Sequence, residues 1–357
     1  MIKRILFLTP YPQDTAGSQR FRFEQYITTL EAQGWRVDRQ SFIDEQTWGL
    51  LYLPGHAGAK IWGVIRGFAR RKWMLMRAHR YTYVFIHREA SPLGPPIFEW
   101  ILAKVLKKKI IYDFDDAIWK ENTTGANSLA ARIKWPQKVE AICRWSHCVS
   151  VGNQFLAEYA CQYNAHVVVN PTTLDTMHRH LPSDAIQSPL VVGWTGTHST
   201  LKYLHLIVPV IQALKVEMAF DFCVIADQQP DLAIDGLRFV PWNKETEIED
   251  LNRIDIGVMP LEVDEWAQGK CGFKALQFMA LEKPVLVTPV GVNAEIVEHG
   301  VSGLHCESVE DWKEGLKKLL LNESMRRKMG VNGRKTVIEQ FSVASNTANF
   351  LSLFDEP

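Results

Sequence analysis

Three carboxylates fall within four positions in YDFDDAIW, residues 112–119, directly behind the apolar pair Ile110 and Ile111. Asp113, Asp115 and Asp116 in that spacing admit three chemistries. A D-x-D at a strand end suits a divalent cation that holds a phosphorylated substrate. Two aspartates one residue apart also suit an aspartyl nucleophile with its acid partner, as in a phosphohydrolase. The third option is structural, with the carboxylates capping the next turn and pairing with arginine or lysine. The phosphohydrolase pattern wants Thr or Val after the second aspartate, and a place behind the first strand; here Asp116 and Ala117 follow, in mid-domain.

Other stretches carry complementary charge and hydrogen-bonding capacity. In TPYPQDTAGSQRFRFEQY, Gly17 and Ser18 close a loop at a helix start, where exposed amides hold an anion and Arg20 and Arg22 add positive charge. In GWTGTHSTLKYL, residues 193–204, Gly193 and Gly196 permit close backbone approach, Thr197 and Ser199 offer hydroxyls, and a helix from about residue 200 aims its amides at a phosphate. Neither the G-K-[ST] ending of a phosphate-binding P-loop nor G-x-G-x-x-G is present there. In GKCGFKALQFMALEKPVLVTPVGVNAEIV, Lys270 and Lys274 stand four apart at a predicted helix start, which places both at its positive end. Gln277, one turn on, is placed to hydrogen-bond a ribose hydroxyl, and Gly291, Val292, Asn293 and Glu295 form a second turn facing the same place. His87, behind another strand, is a candidate to orient an acceptor. Trp242 is a candidate to stack on a base.

The elements that position these residues follow from hydrophobic patterning. Short apolar runs, each followed by a loop and a helical pattern, are the mark of parallel strands buried between helices. The first half predicts strands at 5–9, 36–40, 83–87, 109–113, 148–152 and 166–170, with helices over 20–33, 63–79, 96–106 and 154–162. After residue 175 the pattern restarts, with strands at 190–194, 219–226, 237–240, 254–259, 285–288 and 303–306. The expected fold is α/β: two doubly wound, Rossmann-like domains, with the ligand site in a cleft between them at the carboxyl ends of the strands. A length of 357 residues fits two domains.

Forty basic and forty acidic residues cancel, which removes a global electrostatic case for nucleic acid. The six cysteines (143, 148, 161, 223, 271 and 306) show neither disulfide nor zinc spacing and suit reduced thiols in a cytosol. The N-terminal apolar run stops at Leu8, too short for a signal peptide, and no run of 18 apolar residues exists to span a membrane. The charge is uneven, however. No acid occurs between Glu45 and Glu89, and within residues 58–81 arginines interleave with Ile61, Trp62, Ile65, Phe68, Trp73 and Met76 at helical spacing. That pattern suits either an interfacial helix on anionic lipid or a helix packed on the sheet with solvated arginines.

The two-unit layout, the glycine-threonine loop at 193–200 and the segment GKCGFKALQFMALEKPVLVTPVGVN together resemble the GT-B glycosyltransferases of family 4, the group 1 enzymes of polysaccharide assembly. The resemblance implies a first domain, 1–174, that binds the acceptor, with a C-terminal helix in 341–357 packing back on it. A second domain, 175–340, would bind a nucleotide-sugar. It implies retaining transfer in the cleft, to a saccharide or lipid-linked acceptor, with no metal and no other cofactor, in the cytoplasm or on the inner membrane face. Family members commonly carry Glu, seven residues, Glu; here those positions read Gly269 and Gln277, so Lys270 and Lys274 are expected to supply charge to the donor. The family's His-Asp pair in the first domain aligns with Asp115 and Asp116, which makes Asp115 a catalytic candidate beside the two lysines. Two other classes stay open: a sugar-nucleotide-binding protein without turnover, and a metal-dependent phosphohydrolase using the DFDD stretch.

Overall fold

The computed structural model describes residues 3–51, 53–120, 135–183 and 187–355. The chain forms two compact units, Met1–Thr172 with Asn346–Pro357, and Thr173–Ser345. Each holds one wholly parallel six-stranded sheet. The first contains β1 (Arg4–Thr9), β2 (Arg36–Ser41), β3 (Tyr83–His87), β4 (Lys109–Phe114), β5 (Cys148–Val151) and β6 (Val167–Val169), in the order β2-β1-β3-β4-β5-β6. The second contains β7 (Val191–Gly196), β8 (Asp221–Ala226), β9 (Leu237–Pro241), β10 (Ile256–Met259), β11 (Val285–Val287) and β12 (Gly303–His305), in the order β12-β11-β10-β7-β8-β9. Central strands are covered on both faces, so their side chains are buried in unbroken runs, as in Ile5–Leu8 and Tyr83–Ile86. The edge strand β2, RVDRQS, is polar and part-exposed. Arg4 Nη2 at the start of β1 reaches Asp38 Oδ2 on β2 at 2.6 Å.

The predicted helix over 20–33 breaks into Gly17–Arg20, a 3-10 turn Glu24–Tyr26 and Ile27–Ala32. The reason is burial: residues 19 to 23 are all inside, and five consecutive residues cannot share one face of a helix. At the chain's end, helix Val343–Ser352 lays Phe350 on Tyr26, ring centroids 4.4 Å apart and nearly coplanar. Asn349 Nδ2 donates to Val169 O at 3.0 Å, and Phe354 meets Tyr83 edge-on at 5.8 Å. In the second unit, helix Phe273–Ala280 lies directly on β10, because the Phe278 ring occupies the space a side chain at Gly257 would need.

Two buried arginines tie the carboxyl ends of the first sheet together. Arg22 pairs with Asp113 on β4 and donates to Asn170 O beyond β6; Asp113 in turn accepts from His87 Nδ1 on β3 at 2.7 Å and from Ser150 Oγ on β5 at 2.7 Å. Arg71, from helix Ala57–Arg77, donates to Thr9 O at the end of β1, to Gln40 O on β2 and to Ala90 O behind β3, at 2.7–2.9 Å. Burial pushes the Arg71 guanidinium down to about 9.

Burial alone would raise the carboxyl group of Asp113, but Arg22 and His87 outweigh it and hold Asp113 well below its ordinary 3.8. A depressed folded-state value means stability that is present above the unfolded value and lost as pH falls through it. Asp113→Asn, which leaves Arg22 buried without its counter-charge, is therefore expected to cost about 3–5 kcal/mol by denaturant titration at neutral pH. The unaltered protein should lose stability as pH drops below about 4, and a smaller loss is expected in the variant. Equal stability of the two proteins at pH 7 would contradict this role.

Candidate functional site

In an open α/β sheet the ligand crevice forms where strand order reverses, outside the carboxyl ends of the strands. In the second unit that point lies between β7 and β10, the two neighbours from which the chain winds in opposite directions. β7 ends at Gly196, and the loop behind β10 carries Lys270 and then Lys274. A Cβ at Gly196 would stand 2.8 Å from Lys274 Cε and inside the Trp194 ring, so the bare glycine lets the lysine stem lie against the end of β7. Lys274 Nζ sits 5.5 Å from the centroid of buried Trp194, within cation–π range.

The two lysines do not share a helical face as expected. The helix begins at Phe273, so Lys274 is in its first turn, whereas Lys270 lies before it, with Nζ 5.1 Å from the Trp266 ring centroid. Gln277 is buried within the helix rather than turned outward, since every residue from Ala275 to Ala280 is inside. The turn behind β11 approaches from the other side. Gly291 has φ +53°, and a Cβ there would lie 2.8 Å from Gln268 O, which holds this turn against the lysine loop. Val292 is half-buried and Glu295 exposed on that turn. Asn293 is fully buried and its Nδ2 donates to Thr288 O at 3.2 Å, which braces the turn.

The loop behind β7 continues as a 3-10 helix, His198–Leu206, instead of an α-helix from residue 200. Thr197 N donates to Thr200 Oγ1 at 3.2 Å, and the Thr197 and Ser199 hydroxyls are 2.9 Å apart. Between them His198, which sequence reasoning passed over, donates its backbone N–H to Asp227 Oδ1 at 2.5 Å. Its Nδ1 meets Asp227 Oδ2 at 2.6 Å. Trp242, behind β9, is half-buried and its indole N–H reaches Glu247 Oε1 at 3.3 Å.

In the first unit the charged candidates are mostly committed inward. Arg22 and His87 are fully buried in the Asp113 network, and Arg20 is buried with Nε 3.4 Å from Asp14 Oδ1. The expectation that Arg20 and Arg22 hold an anion at a helix start is thus corrected: the helix lasts four residues, and Gln19 and Arg20 give their backbone amides to Ala16 O. Gly17 and Ser18 stay part-exposed. Gln19, also passed over, holds the β1 loop by bonds to Tyr11, Pro12 and Glu24. Asp115 lies just beyond β4, where Arg88 grips it through Nε at 2.9 Å and Nη2 at 2.7 Å and reaches Asp116 Oδ2 at 2.8 Å. Each of the three aspartates of the DFDD stretch is therefore paired with an arginine, Asp113 with Arg22 and Asp115 and Asp116 with Arg88. Among the described residues no cluster of three or more His, Cys, Asp or Glu is arranged to hold a metal.

Two α/β units with these sheets define the class: the GT-B architecture. Residues 231–336, which hold both lysines and the 291–295 turn, match the family described as glycosyl transferases group 1. That segment lies wholly within the second unit. An uncharacterised glycosyltransferase of Methanocaldococcus jannaschii is 33% identical over 135 residues, 35% of this chain and 37% of that relative's length. Among solved structures, sucrose-phosphate synthase from Thermosynechococcus elongatus aligns over 99% of this chain and 98% of its own, with TM-score 0.71 and 14% identity. A glycosyltransferase from Rickettsia africae aligns over 98% and 97%, with TM-score 0.69 and 13% identity. Anabaena HepE, in complex with UDP-glucose, aligns over 98% and 99%, with TM-score 0.63 and 14% identity.

If Gly196 keeps Trp194 and Lys274 in place, Gly196→Ala should overpack the end of β7. A loss of about 1–3 kcal/mol is expected on thermal or denaturant unfolding, with a shifted tryptophan emission. Unchanged stability and emission would show that the contact is slack.

Proposed function

We propose that this protein is a retaining glycosyltransferase that moves a sugar from a nucleotide-sugar to a polysaccharide or glycolipid acceptor. The observation that carries this reading is the meeting of Gly196, Lys274 and the Gly291 turn at the β7/β10 reversal, inside a segment of group 1 type. Backbone approach at the glycines and a lysine at a helix's first turn are what a diphosphate needs. That HepE holds UDP-glucose supports a uridine donor. In the proposed reaction the acceptor hydroxyl oxygen bonds to the sugar's anomeric carbon on the face from which the diphosphate leaves. The bond to the diphosphate oxygen breaks, and that oxygen takes the acceptor's proton. Lys270 and Lys274 stabilise the charge that develops. In the first unit Asp115, fixed by Arg88, is proposed to contact the acceptor, as are Gly17 and Ser18. Transfer is proposed to need no metal, because the donor's charge is met by lysines and amides.

Lys270→Ala and Lys274→Ala are each expected to lower affinity for UDP-glucose, or for whichever nucleotide-sugar raises thermal stability most, by about 10–100-fold. Transfer by the unaltered protein should survive EDTA. Unchanged affinity in both variants would remove the reading, donor binding without transfer or hydrolysis would favour a non-catalytic binder, and EDTA-sensitive phosphate release would favour a phosphohydrolase.

We further propose that the first unit meets an anionic membrane through helix Ala57–Arg77. One stripe of the helix, Gly63, Gly67, Arg71 and Met74, packs inward; the opposite stripe exposes Ile61 (61%), Trp62 (57%), Ile65, Trp73 and Met76 (64%), flanked by Lys72 and Arg77. Phe68 is not part of this stripe, since it packs on Phe42 and Phe98, and Arg66 and Arg70 pair with Asp44. Among the described residues no helix is long and apolar enough to cross a membrane. Co-flotation with phosphatidylglycerol-containing vesicles is expected, falling at high salt and in Trp62→Glu; no flotation at low salt would refute the proposal.

A further inference from the structure

We propose that a cavity at the carboxyl ends of β1 and β2 binds an uncharged saccharide. Within the glycosyltransferase reading above, on which this second step rests, it holds an acceptor sugar set back from the one that reacts. Thr9 and Ser41 face each other at the ends of the paired strands β1 and β2, and both line the cavity, whose volume is about 640 Å³. That falls within the roughly 300–1,000 Å³ of small-molecule sites. Neither Asp115 nor Gly17 nor Ser18 lines it.

Two sets of bonds hold its walls. Gln19 Nε2 bonds to Tyr11 O, Pro12 O and Glu24 Oε1 at 3.1–3.2 Å, which fixes the loop behind β1. Asp44 takes the Thr47 amide at 2.9 Å and pairs with Arg66 at 3.2 Å and Arg70 at 3.1 Å. Burial alone would raise the Asp44 carboxyl, but Thr47 and Arg70 outweigh it and hold it at about 2. The Asp44 charge is thus met within the wall.

The groups left over define the ligand. Half-buried Glu24 takes Asp14 N at 2.9 Å and Gln19 Nε2 at 3.2 Å, which fills about two of the roughly four acceptor positions of a carboxylate. Burial raises the Glu24 carboxyl above its ordinary value, since those bonds replace only part of the water it loses. Gln13, Arg39 and Ser41 line the same cavity, and among the described residues none of the three hydrogen-bonds through its side chain to another. Buried Phe23 adds an apolar surface. An acceptor carboxylate, a guanidinium, an amide and a hydroxyl beside an aromatic ring suit a polyol, because each sugar hydroxyl both donates and accepts. An anion suits them badly: Arg70 is committed to Asp44, so Arg39 alone would favour it while Glu24 and exposed Glu45 opposed it. Asp115 lies beyond β4, two strands from β1 and three from β2. At about 4.8 Å per strand the cavity is roughly 10–14 Å from it, a separation that a chain of sugars bridges and a single ring does not.

The test is calorimetric titration of the full chain, without nucleotide, with maltotriose, cellotriose, mannotriose and chitotriose, and with inorganic phosphate and a hyaluronan tetrasaccharide as anionic controls. At least one neutral trisaccharide is expected to bind with a Kd of about 1 mM or below, more tightly than either anion. Arg39→Ala should weaken that binding by about 10–100-fold and Gln13→Ala by about 2–10-fold. Both should leave the melting temperature unchanged, since neither side chain is hydrogen-bonded within the fold. Phosphatidylcholine vesicles carrying digalactosyldiacylglycerol present the same chemistry on a lipid. Arg39-dependent flotation with them supports the cavity and assigns its sugar to a lipid-linked acceptor; Arg39-dependent binding of free trisaccharides alone supports it and assigns a free chain. No neutral saccharide bound at about 10 mM, tighter binding of the anions, or saccharide affinity unaltered in Arg39→Ala overturns the proposal and leaves the donor site standing. Arg39-dependent saccharide binding by a protein that binds no nucleotide-sugar supports the cavity and removes the glycosyltransferase reading instead.

Discussion

The buried carboxylate of Asp113 is the fixed point of the first unit. A parallel sheet ends, at its carboxyl edge, in a row of backbone and side-chain polar groups that no neighbouring strand satisfies, and in this chain that edge is inside the protein. Asp113 gathers β3 through His87, β5 through Ser150, and the chain beyond β6 through Arg22 and Asn170. Arg71 does the same for β1, β2 and the turn behind β3 using carbonyl oxygens alone. Between them, two guanidinium groups secure all six strand ends, one against a carboxylate and one against backbone dipoles. The arrangement is costly if incomplete, since a buried charge is tolerated only when its partners are all present.

This constraint explains the state of the DFDD stretch. Asp113 is the penultimate residue of β4 and is taken by Arg22, and the two aspartates that follow Phe114 fall beyond the strand. There Arg88 meets them. Arg88 has φ +60°, a left-handed conformation that a long side chain adopts only when its surroundings impose it. Its N–H bonds to Asp113 O and its carbonyl accepts from Tyr112 Oη at 2.8 Å, so the conformation is set by the strand that carries the aspartates. Burial disfavours the Arg88 charge, but Asp115 and Asp116 outweigh this and raise the guanidinium above its ordinary value. A metal motif and an ion-pair motif share the same letters, and the difference lies in whether a cation is already provided by the chain.

The sequence revealed the sheets well because buried parallel strands announce themselves as apolar runs; β3 was placed residue for residue, and the others within a few positions. It revealed less where tertiary burial overrides local pattern. Residues 20–33 read as one helix, yet Phe21, Arg22 and Phe23 are all drawn inside and the helix cannot persist. Arginine in the linear sequence reads as surface charge, so Arg22 was read as an anion ligand and Arg71 as one of a row of solvated or lipid-facing arginines, when both are interior. Their acceptors are carbonyls and carboxylates from strands up to 148 residues away, and no local signal encodes that. Asp227 was invisible for the same reason, since only the pairing of β7 with β8 brings it to His198.

The second unit is built on a different device, the removal of side chains. Gly257 admits the Phe278 ring, which brings helix Phe273–Ala280 down onto β10, and Gly196 then admits the stem of Lys274 at the end of β7. Each glycine transmits position: the first sets the depth of the helix and the second uses that depth to set the lysine against the neighbouring strand. In the first unit the buried charges at the strand ends are paired internally, Arg22 with Asp113 and Arg88 with Asp115 and Asp116. In the second, Lys270 lies by the Trp266 ring and Lys274 by the Trp194 ring, both within cation–π range. An aromatic face positions a lysine through its ring quadrupole, a contact that a carboxylate could not make without forming an ion pair.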